Sequence, residues 1–286
     1  MTTPDDTVDQ ARARSFGAAA ATYHRSRTGY TGDEVAWALG RSPSDPAGLG
    51  DLDVLDLAAG TGRLTLALVA AGVGAAGGSL HAVEPDPEMR AEFARQVPAE
   101  RVALHDGTAE AIPLPDASVD AVVAGSAFHW FAPDRALPEI ARVLRPGGTL
   151  TALWTHPDEQ VDWVRTYRGA GRTALGRPAG RTGTDRQRTG PDGRQHTDDL
   201  RHRDIPASAL FTPTELRQAV HVERTTRQVL TEAIGTYSDV LVRDPASRDA
   251  VLAAVAAAVA QVVPGAPGDP TVELPVRVLM ARCRLR

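Results

Sequence analysis

The run Val54-Leu55-Asp56-Leu57-Ala58-Ala59-Gly60-Thr61-Gly62-Arg63-Leu64-Thr65 constrains this chain more than any other stretch of it. A short apolar strand that ends in a turn of small residues and enters a helix brings backbone N–H groups against a ligand, because only small side chains allow so close an approach. The turn reads as a ligand cradle. A dinucleotide fingerprint does not fit it: Ala58 stands at the first glycine position, and Asp56 at the strand end would repel a pyrophosphate while favouring a ligand with positive charge. Taken alone, Gly60 and Gly62 would also suit a plain strand-to-helix turn.

The same alternation continues downstream. Apolar runs indicate strands over 53–57, 79–83, 102–105, 119–124 and 149–154, and amphipathic runs indicate helices over 63–71, 87–96 and 132–144, with a helix or loop over 109–114. Strands and helices alternating at this spacing imply βαβ units, hence an α/β fold with a doubly wound, mostly parallel sheet. Arg145-Pro146-Gly147-Gly148 is expected to turn the chain from the last of these helices into its strand. Before this unit, residues 5–39 read as one or two helices anchored by Phe16, Tyr23, Tyr30 and Trp37, followed by turn formers over 42–51. After it come a strand near 219–226, helices over 231–242 and 246–262, and a closing strand over 272–285. The expected organisation is a helical cap at 1–45, a cofactor-binding core at 46–155, and a C-terminal completion of the same domain at 156–286.

Composition excludes several chemistries. All 31 basic residues are arginine, so neither a Schiff-base lysine nor a phosphate-binding P-loop lysine is present. That bias also fits the codon usage of high-GC bacteria. The single cysteine, Cys283, rules out an internal disulfide and a multi-cysteine zinc site, and the histidines show no metal-ligand spacing. The acidic start of the chain lacks an apolar leader, and the longest apolar stretch, 251–263, falls short of the ~18 residues that span a bilayer, so a cytoplasmic chain with no membrane partner is expected. Residues 168–203 hold nine Arg, four Asp and seven Gly with only Leu175 and Leu200 as large aliphatics. Such a segment buries too little apolar surface to offset its ordering entropy, and a mobile insertion at about 168–204 is expected, either a passive loop or a lid. Its interspersed aspartates and lack of aromatics argue against a nucleic-acid partner.

Glu84 closes the second apolar strand, in His81-Ala82-Val83-Glu84-Pro85-Asp86. A carboxylate at that tip accepts both hydroxyls of a ribose, which makes the ligand a nucleoside, although alone it would equally be a solvated loop charge. Asp56 and Glu84 then flank the crevice where open α/β sheets bind ligands.

With these pieces stand His105-Asp106-Gly107-Thr108-Ala109-Glu110-Ala111-Ile112-Pro113-Leu114, Ser118-Val119-Asp120-Ala121-Val122-Val123, and Leu137-Pro138-Glu139-Ile140-Ala141-Arg142-Val143-Leu144-Arg145-Pro146-Gly147-Gly148. In this order and spacing, over about 100 residues, they resemble the class I S-adenosylmethionine-dependent methyltransferases, in particular the type 11 small-molecule group. The resemblance implies a Rossmann-like, seven-stranded sheet with S-adenosyl-L-methionine as cofactor and S-adenosyl-L-homocysteine as product. It implies that the backbone around Asp56, Ala58, Gly60 and Gly62 holds the methionine moiety, that Glu84 takes the ribose hydroxyls, and that Pro85 and Met89 border the adenine. Thr108 and the Ala109 amide would face the adenine edge, where many relatives carry aspartate instead of Thr108. Tyr23 and Arg27 would cover the methionine end or else pack the cap, and Arg27 and Tyr30 would contact the acceptor. Ser126, His129 and Trp130 follow the fourth strand, where such enzymes place residues next to the transferable methyl; Ser126 would contact the cofactor, and His129 and Trp130 the acceptor. His129 would act as a base on a hydroxyl or amine, or serve only in capping or packing, and Trp130 would wall the pocket. The acceptor implied is a small molecule, in a high-GC bacterium a specialised metabolite, with no metal and with either a monomer or a homodimer open. A non-methylating enzyme on the same fold, catalysing a cyclisation or a decarboxylation, and a noncatalytic cofactor-binding protein are the alternatives.

Overall fold

Four consecutive residues, Val54, Leu55, Asp56 and Leu57, have no solvent exposure at all. Only a strand covered on both faces is sealed in this way, which is why such strands read as continuous apolar runs rather than alternating ones. The computed structural model describes residues 19–42, 46–176, 188–189, 195–196, 204–264 and 271–286. In chain order its elements are α1 (Ala20–Ser26), α2 (Gly32–Ala38), β1 (Val54–Leu57), α3 (Arg63–Ala70), β2 (Leu80–Val83), α4 (Pro87–Gln96), β3 (Ala103–His105), β4 (Val119–Gly125), α5 (Pro133–Val143), β5 (Leu144–Pro157) and α6 (Asp162–Ala174). A small antiparallel ribbon of β6 (Arg188–Thr189) and β7 (Gln195–His196) follows, then β8 (Glu215–Thr226), α7 (Arg227–Gly235), α8 (Ser238–Leu241), α9 (Pro245–Val262) and β9 (Thr271–Arg284).

Seven strands form one sheet in the order β3-β2-β1-β4-β5-β9-β8. β1 lies parallel to both β2 and β4, β2 to β3, and β4 to β5. The strand order reverses at β1, between β2 and β4, so the carboxyl ends of these strands open the crevice in which doubly wound sheets bind ligands. The Rossmann-like α/β architecture expected from the sequence is the one observed.

The described residues fall into two compact units, one drawn from 28–155, 204–219 and 278–286, the other from 1–27, 156–203 and 220–277. In the first, α5 turns Ala136, Leu137, Ile140 and Val143 inward at helical spacing, which buries one stripe and leaves the opposite face polar. α4 starts at Asp86, whose carboxylate accepts from the Glu88 and Met89 amides at 2.8 and 3.0 Å, with Pro87 as the first helical residue. In the second unit, α9 packs on α6 and α7, and α1 packs on α7. The buried stripe of α9 is Val251, Val255 and Val259; Leu252 and Val262, expected on that face, are only half-buried.

Two local expectations are corrected. Helix α6 continues to Ala174, so the start of the segment expected as a mobile insertion is helical. Its inward residues Val164, Tyr167 and Gly171 are buried, and Arg168 and Arg172 both pair with Glu159, which anchors the helix through charge as well as packing. Of the rest of that insertion, only the strands of the small ribbon and Asp204 belong to the described residues. Arg145-Pro146-Gly147-Gly148 lies inside β5 as a bulge: the register steps from Val119 opposite Leu144 to Ala121 opposite Thr149. Gly147 there adopts φ +77°, and Arg145 bridges Asp53 and Asp120 at 2.7 and 2.9 Å. Of the two readings for residues 109–114, helix or loop, the loop is observed, and Thr108 and Ala111 exchange backbone hydrogen bonds in an isolated bridge. The helical reading of 5–39 resolves into α1 and α2 separated by extended residues, with 1–18 outside the described residues.

Candidate functional site

The turn after β1 is held in a conformation that few residue types adopt. Ala58, Gly60 and Gly62 have φ of +58°, +57° and +87°. Glycine takes this left-handed region freely, whereas at Ala58 the Cβ crowds the backbone, and non-glycine residues so placed concentrate at functional sites. A Cβ at Gly60 would point into open space, so the turn presents bare backbone there. A Cβ at Gly62 would come within 2.5 Å of Val97 and 3.0 Å of Phe93, so this glycine lets α3 start tight against α4. The two glycines serve different ends, one toward the crevice and one toward the core.

Glu84, only 6% exposed, sits at the tip of β2 and reaches back to this turn. Its Oε2 accepts from the Gly60 amide at 2.9 Å and its Oε1 from the Asp86 amide at 2.9 Å. Burial pushes its pKa up, opposed by these two backbone N–H donors. Each carboxylate oxygen offers about two acceptor sites, so both retain capacity for a ligand hydroxyl. Arg90 fixes the loop from below, donating to the Glu84 carbonyl at 2.8 Å and bidentately to Asp106 at 3.0 Å.

Asp56 differs from a contact residue. It is sealed from solvent, its Oδ2 accepts the Thr65 hydroxyl at 2.6 Å, and its Oδ1 is buried without a hydrogen-bond partner. Burial pushes its pKa up to about 7, the Thr65 hydroxyl opposes this, and Glu84 adds to it. Its influence on a ligand therefore travels through the low-dielectric interior as a field, rather than through touch. Thr65 was passed over in the sequence reading, though a hydroxyl nine residues after a strand-end aspartate, on the first turn of the next helix, is a usable signal.

The second lip of the crevice is the end of β4. Ser126 has φ +54°, and its amide donates to the Leu153 carbonyl at 2.6 Å. Strained non-glycine backbone thus stands at the carboxyl ends of two neighbouring strands, at Ala58 and at Ser126. Gly125 beside it is also required: a Cβ there would lie 2.8 Å from the Tyr30 hydroxyl and 3.2 Å from Leu64. This brings Tyr30 to the β4 end, and Gly125, to which no sequence motif assigns a role, makes room for it. His129 is exposed on the short 3-10 turn Phe128–Trp130, its ring 4.8 Å from that of Trp130, whereas Phe128 is buried. Met89 is buried on α4, Pro85 and Thr108 are exposed, and Ala109 is buried. Tyr23 and Arg27 belong to the other unit, where the Arg27 guanidinium lies 4.6 Å from the Tyr23 ring and 4.8 Å from that of Tyr237.

These features suit S-adenosylmethionine. The acceptor capacity of Glu84 matches a ribose diol, the open face of Gly60 matches a closely laid methionine chain, and the unpaired buried oxygen of Asp56 favours a nearby cation. Among the described residues no group of three or more His, Cys, Asp or Glu is placed to hold a metal, and no helix is long and apolar enough to cross a membrane.

Residues 55–152 match the methyltransferase domain family. An uncharacterized methyltransferase of Mycobacterium tuberculosis is 47% identical over 151 residues, covering 53% of this chain and 56% of that protein. The malonyl-[acyl-carrier protein] O-methyltransferase of Methylococcus capsulatus is 43% identical over 98 residues, 34% of this chain and 35% of that one. The chain thus spans about half, or less, of the length of these curated relatives. A solved structure of a candidate type II methyltransferase from Anaeromyxobacter dehalogenans superposes with a TM-score of 0.55 at 25% identity, covering 85% of this chain and 95% of that one. Motif order, strand order and these matches coincide, and residues 55–152 form a methyltransferase domain similar to those of the class I S-adenosylmethionine-dependent enzymes.

Proposed function

We propose that this protein transfers a methyl group from S-adenosylmethionine to a small-molecule acceptor, a specialised metabolite of a high-GC bacterium, in the cytoplasm. The observation that carries the reading is the joining of the β1 and β2 tips: Glu84, buried, holds the Gly60 amide while keeping acceptor capacity toward the crevice. When bound, S-adenosylmethionine supplies an electrophilic methyl carbon on a sulfonium whose sulfur leaves as a neutral thioether.

The chain's own residues then have limited chemical work. Glu84 accepts the ribose hydroxyls, the backbone of Ala58 to Gly62 lies against the methionine chain, and Pro85, Met89, Thr108 and the Ala109 amide border the adenine. The field of Asp56 favours the cationic donor over its neutral product. Ser126 borders the cofactor, Tyr30 and Trp130 line the side from which an acceptor enters, and His129, exposed on its turn, takes the proton from an acceptor hydroxyl or amine. Alignment of acceptor, carbon and leaving sulfur and exclusion of water carry most of the rate in such a displacement.

The relatives named above include an O-methyltransferase acting on a malonyl carrier protein, which supports an oxygen acceptor within this group. The test is incubation with methyl-labelled S-adenosylmethionine and extracts of an actinomycete, with mass spectrometry of what gains label. A labelled small molecule together with S-adenosylhomocysteine is expected; label confined to protein or nucleic acid contradicts the acceptor class, and cofactor binding without any S-adenosylhomocysteine contradicts methyl transfer.

A further inference from the structure

β8 closes the sheet order, so among the described residues its outer edge pairs with no strand. The unpaired N–H and C=O groups of such an edge recruit another strand, and natural sheets guard against this with short edges, proline or bulges. β8 is neither short nor broken by proline or glycine: it runs 12 residues, Glu215–Thr226. Along it Ala219, His221, Glu223 and Thr225 are half-buried, while Leu216, Gln218, Val220, Val222 and Arg224 face solvent. The large apolar side chains of that outer row, Leu216, Val220 and Val222, are 47%, 53% and 61% exposed. Outward positions on a strand covered on one face are ordinarily polar, so this row is one that a partner would cover.

The strand is complementary to itself. A two-fold axis normal to the sheet sets β8 antiparallel to a second β8 and keeps each side chain on its own face, so odd positions meet odd and even meet even. With the axis at Val220, Arg217 of each copy lies opposite Glu223 of the other, Val220 meets Val220, Val222 meets Gln218, and Leu216 meets Arg224, whose aliphatic stem covers it. An axis at Ala219 would instead set Glu215 opposite Glu223, and an axis at His221 would set Arg217 opposite Thr225 and lose both ion pairs. Arg217 suits this pairing. Among the described residues it has no carboxylate partner, since Glu215 is taken by Arg282 at 2.6 Å, and it lies 5.9 Å from the centre of the Trp37 ring, which holds it near the sheet. Glu223 lies 3.3 Å from a His221 ring nitrogen, and a carboxylate takes about four donors, so a second cation can share it.

We propose that β8 is a homodimer interface, in which two copies of this chain join edge to edge through an antiparallel β8–β8 pair with its two-fold axis at Val220. The apolar rows of the two copies then lie side by side. Three strands separate β8 from β1, so the interface does not depend on the methyl-transfer reading. Sedimentation velocity of the full chain over a concentration series should show a monomer–dimer equilibrium. Val220→Lys sets two like charges face to face at the axis and Arg217→Glu sets acid against acid, and each should weaken the dimer by roughly tenfold. Adding Glu223→Arg to Arg217→Glu restores opposite charges and should return the affinity to that of the unaltered chain. Val220→Cys reports the register: directly opposed Cβ atoms lie ~5 Å apart, so two copies should link by a disulfide under oxidised glutathione, whereas Val222→Cys, which meets Gln218, should not. A monomer at every concentration, a double variant no tighter than Arg217→Glu alone, or equal cross-linking at positions 220 and 222 overturns the proposal. S-adenosylhomocysteine affinity measured on every variant verifies the fold and separates this outcome from any failure of the cofactor site.

Discussion

Glu84 and Gly60 are joined by a hydrogen bond of 2.9 Å from the Gly60 amide to the Glu84 carboxylate, which ties the tip of β2 to the turn after β1. One buried side chain thereby sets the shape of the cradle and offers its remaining acceptor sites to whatever the cradle holds. Glu84→Ala removes both, and it should weaken S-adenosylhomocysteine binding by about 1–3 kcal/mol, the size of a charge-assisted hydrogen-bond pair. Titration calorimetry at neutral pH reads this directly; affinity equal to that of the unaltered protein removes Glu84 from the site.

Asp56 gives the free protein a distinctive pH dependence. Its pKa is raised from 3.8 to about 7 by burial, opposed by Thr65 and reinforced by Glu84, whose own pKa is also raised. Between these limits the unfolded chain releases the proton while the folded chain keeps it, so stability falls as pH rises from about 4 to about 7 and is flat in this respect above. Asp56→Asn should flatten that decline and make the ligand-free protein more stable at pH 8, by on the order of 4 kcal/mol less the loss of the Thr65 pairing. Denaturant melts at pH 5 and pH 8 decide it; an unchanged slope contradicts the assignment.

Binding should report on the same group. A sulfonium favours ionised Asp56 through the interior, so S-adenosylmethionine affinity rises with pH through about 7, whereas the neutral thioether of S-adenosylhomocysteine shows less of this trend. Parallel titrations with the two ligands from pH 6 to pH 8 test it, and identical pH profiles would contradict a field acting from Asp56.

Gly60 and Gly62 should separate in mutagenesis. Gly62→Ala places a methyl 2.5 Å from Val97 at φ +87°, and it should cost on the order of 2–3 kcal/mol of folding stability through overpacking and strain. Gly60→Ala meets nothing within 4 Å at φ +57°, so only about 1 kcal/mol of backbone strain is expected, with a larger effect on cofactor affinity. Chemical denaturation beside calorimetry distinguishes them; equal destabilisation would contradict the division between crevice and core.

The strand-turn-helix at 54–65 and the acidic tip at Glu84 were legible because their chemistry is written in consecutive residues: an apolar run, small residues, a carboxylate. The helix of α4 was readable to its ends because Asp86 caps it and Pro87 opens it. The bulge at 145–148 was not, since Pro-Gly-Gly signals a change of direction equally well in a turn and inside a strand, and only pairing with β4 settles which. The part of helix α6 from Arg168 onward falls in the expected insertion because its glycine and arginine content signals a solvated loop until Glu159 and the packing of Tyr167 are placed beside it. Gly125 escaped notice because its role is to leave room for Tyr30, a residue almost a hundred positions earlier, and no local pattern encodes that distance.

His129 is exposed beside Trp130 on the turn after β4. His129→Ala should leave S-adenosylhomocysteine affinity unchanged and lower turnover by roughly 10²–10⁴ once an acceptor with an ionisable hydroxyl is in hand. Turnover equal to that of the unaltered enzyme removes His129 as the base.

A crystal structure with S-adenosylhomocysteine bears most directly on the whole reading. Its ribose hydroxyls should lie within hydrogen-bond distance of both Glu84 carboxylate oxygens, with the amino acid end along the backbone of residues 58–62. A nucleoside seated away from Glu84, or none bound at saturating concentration, would contradict it.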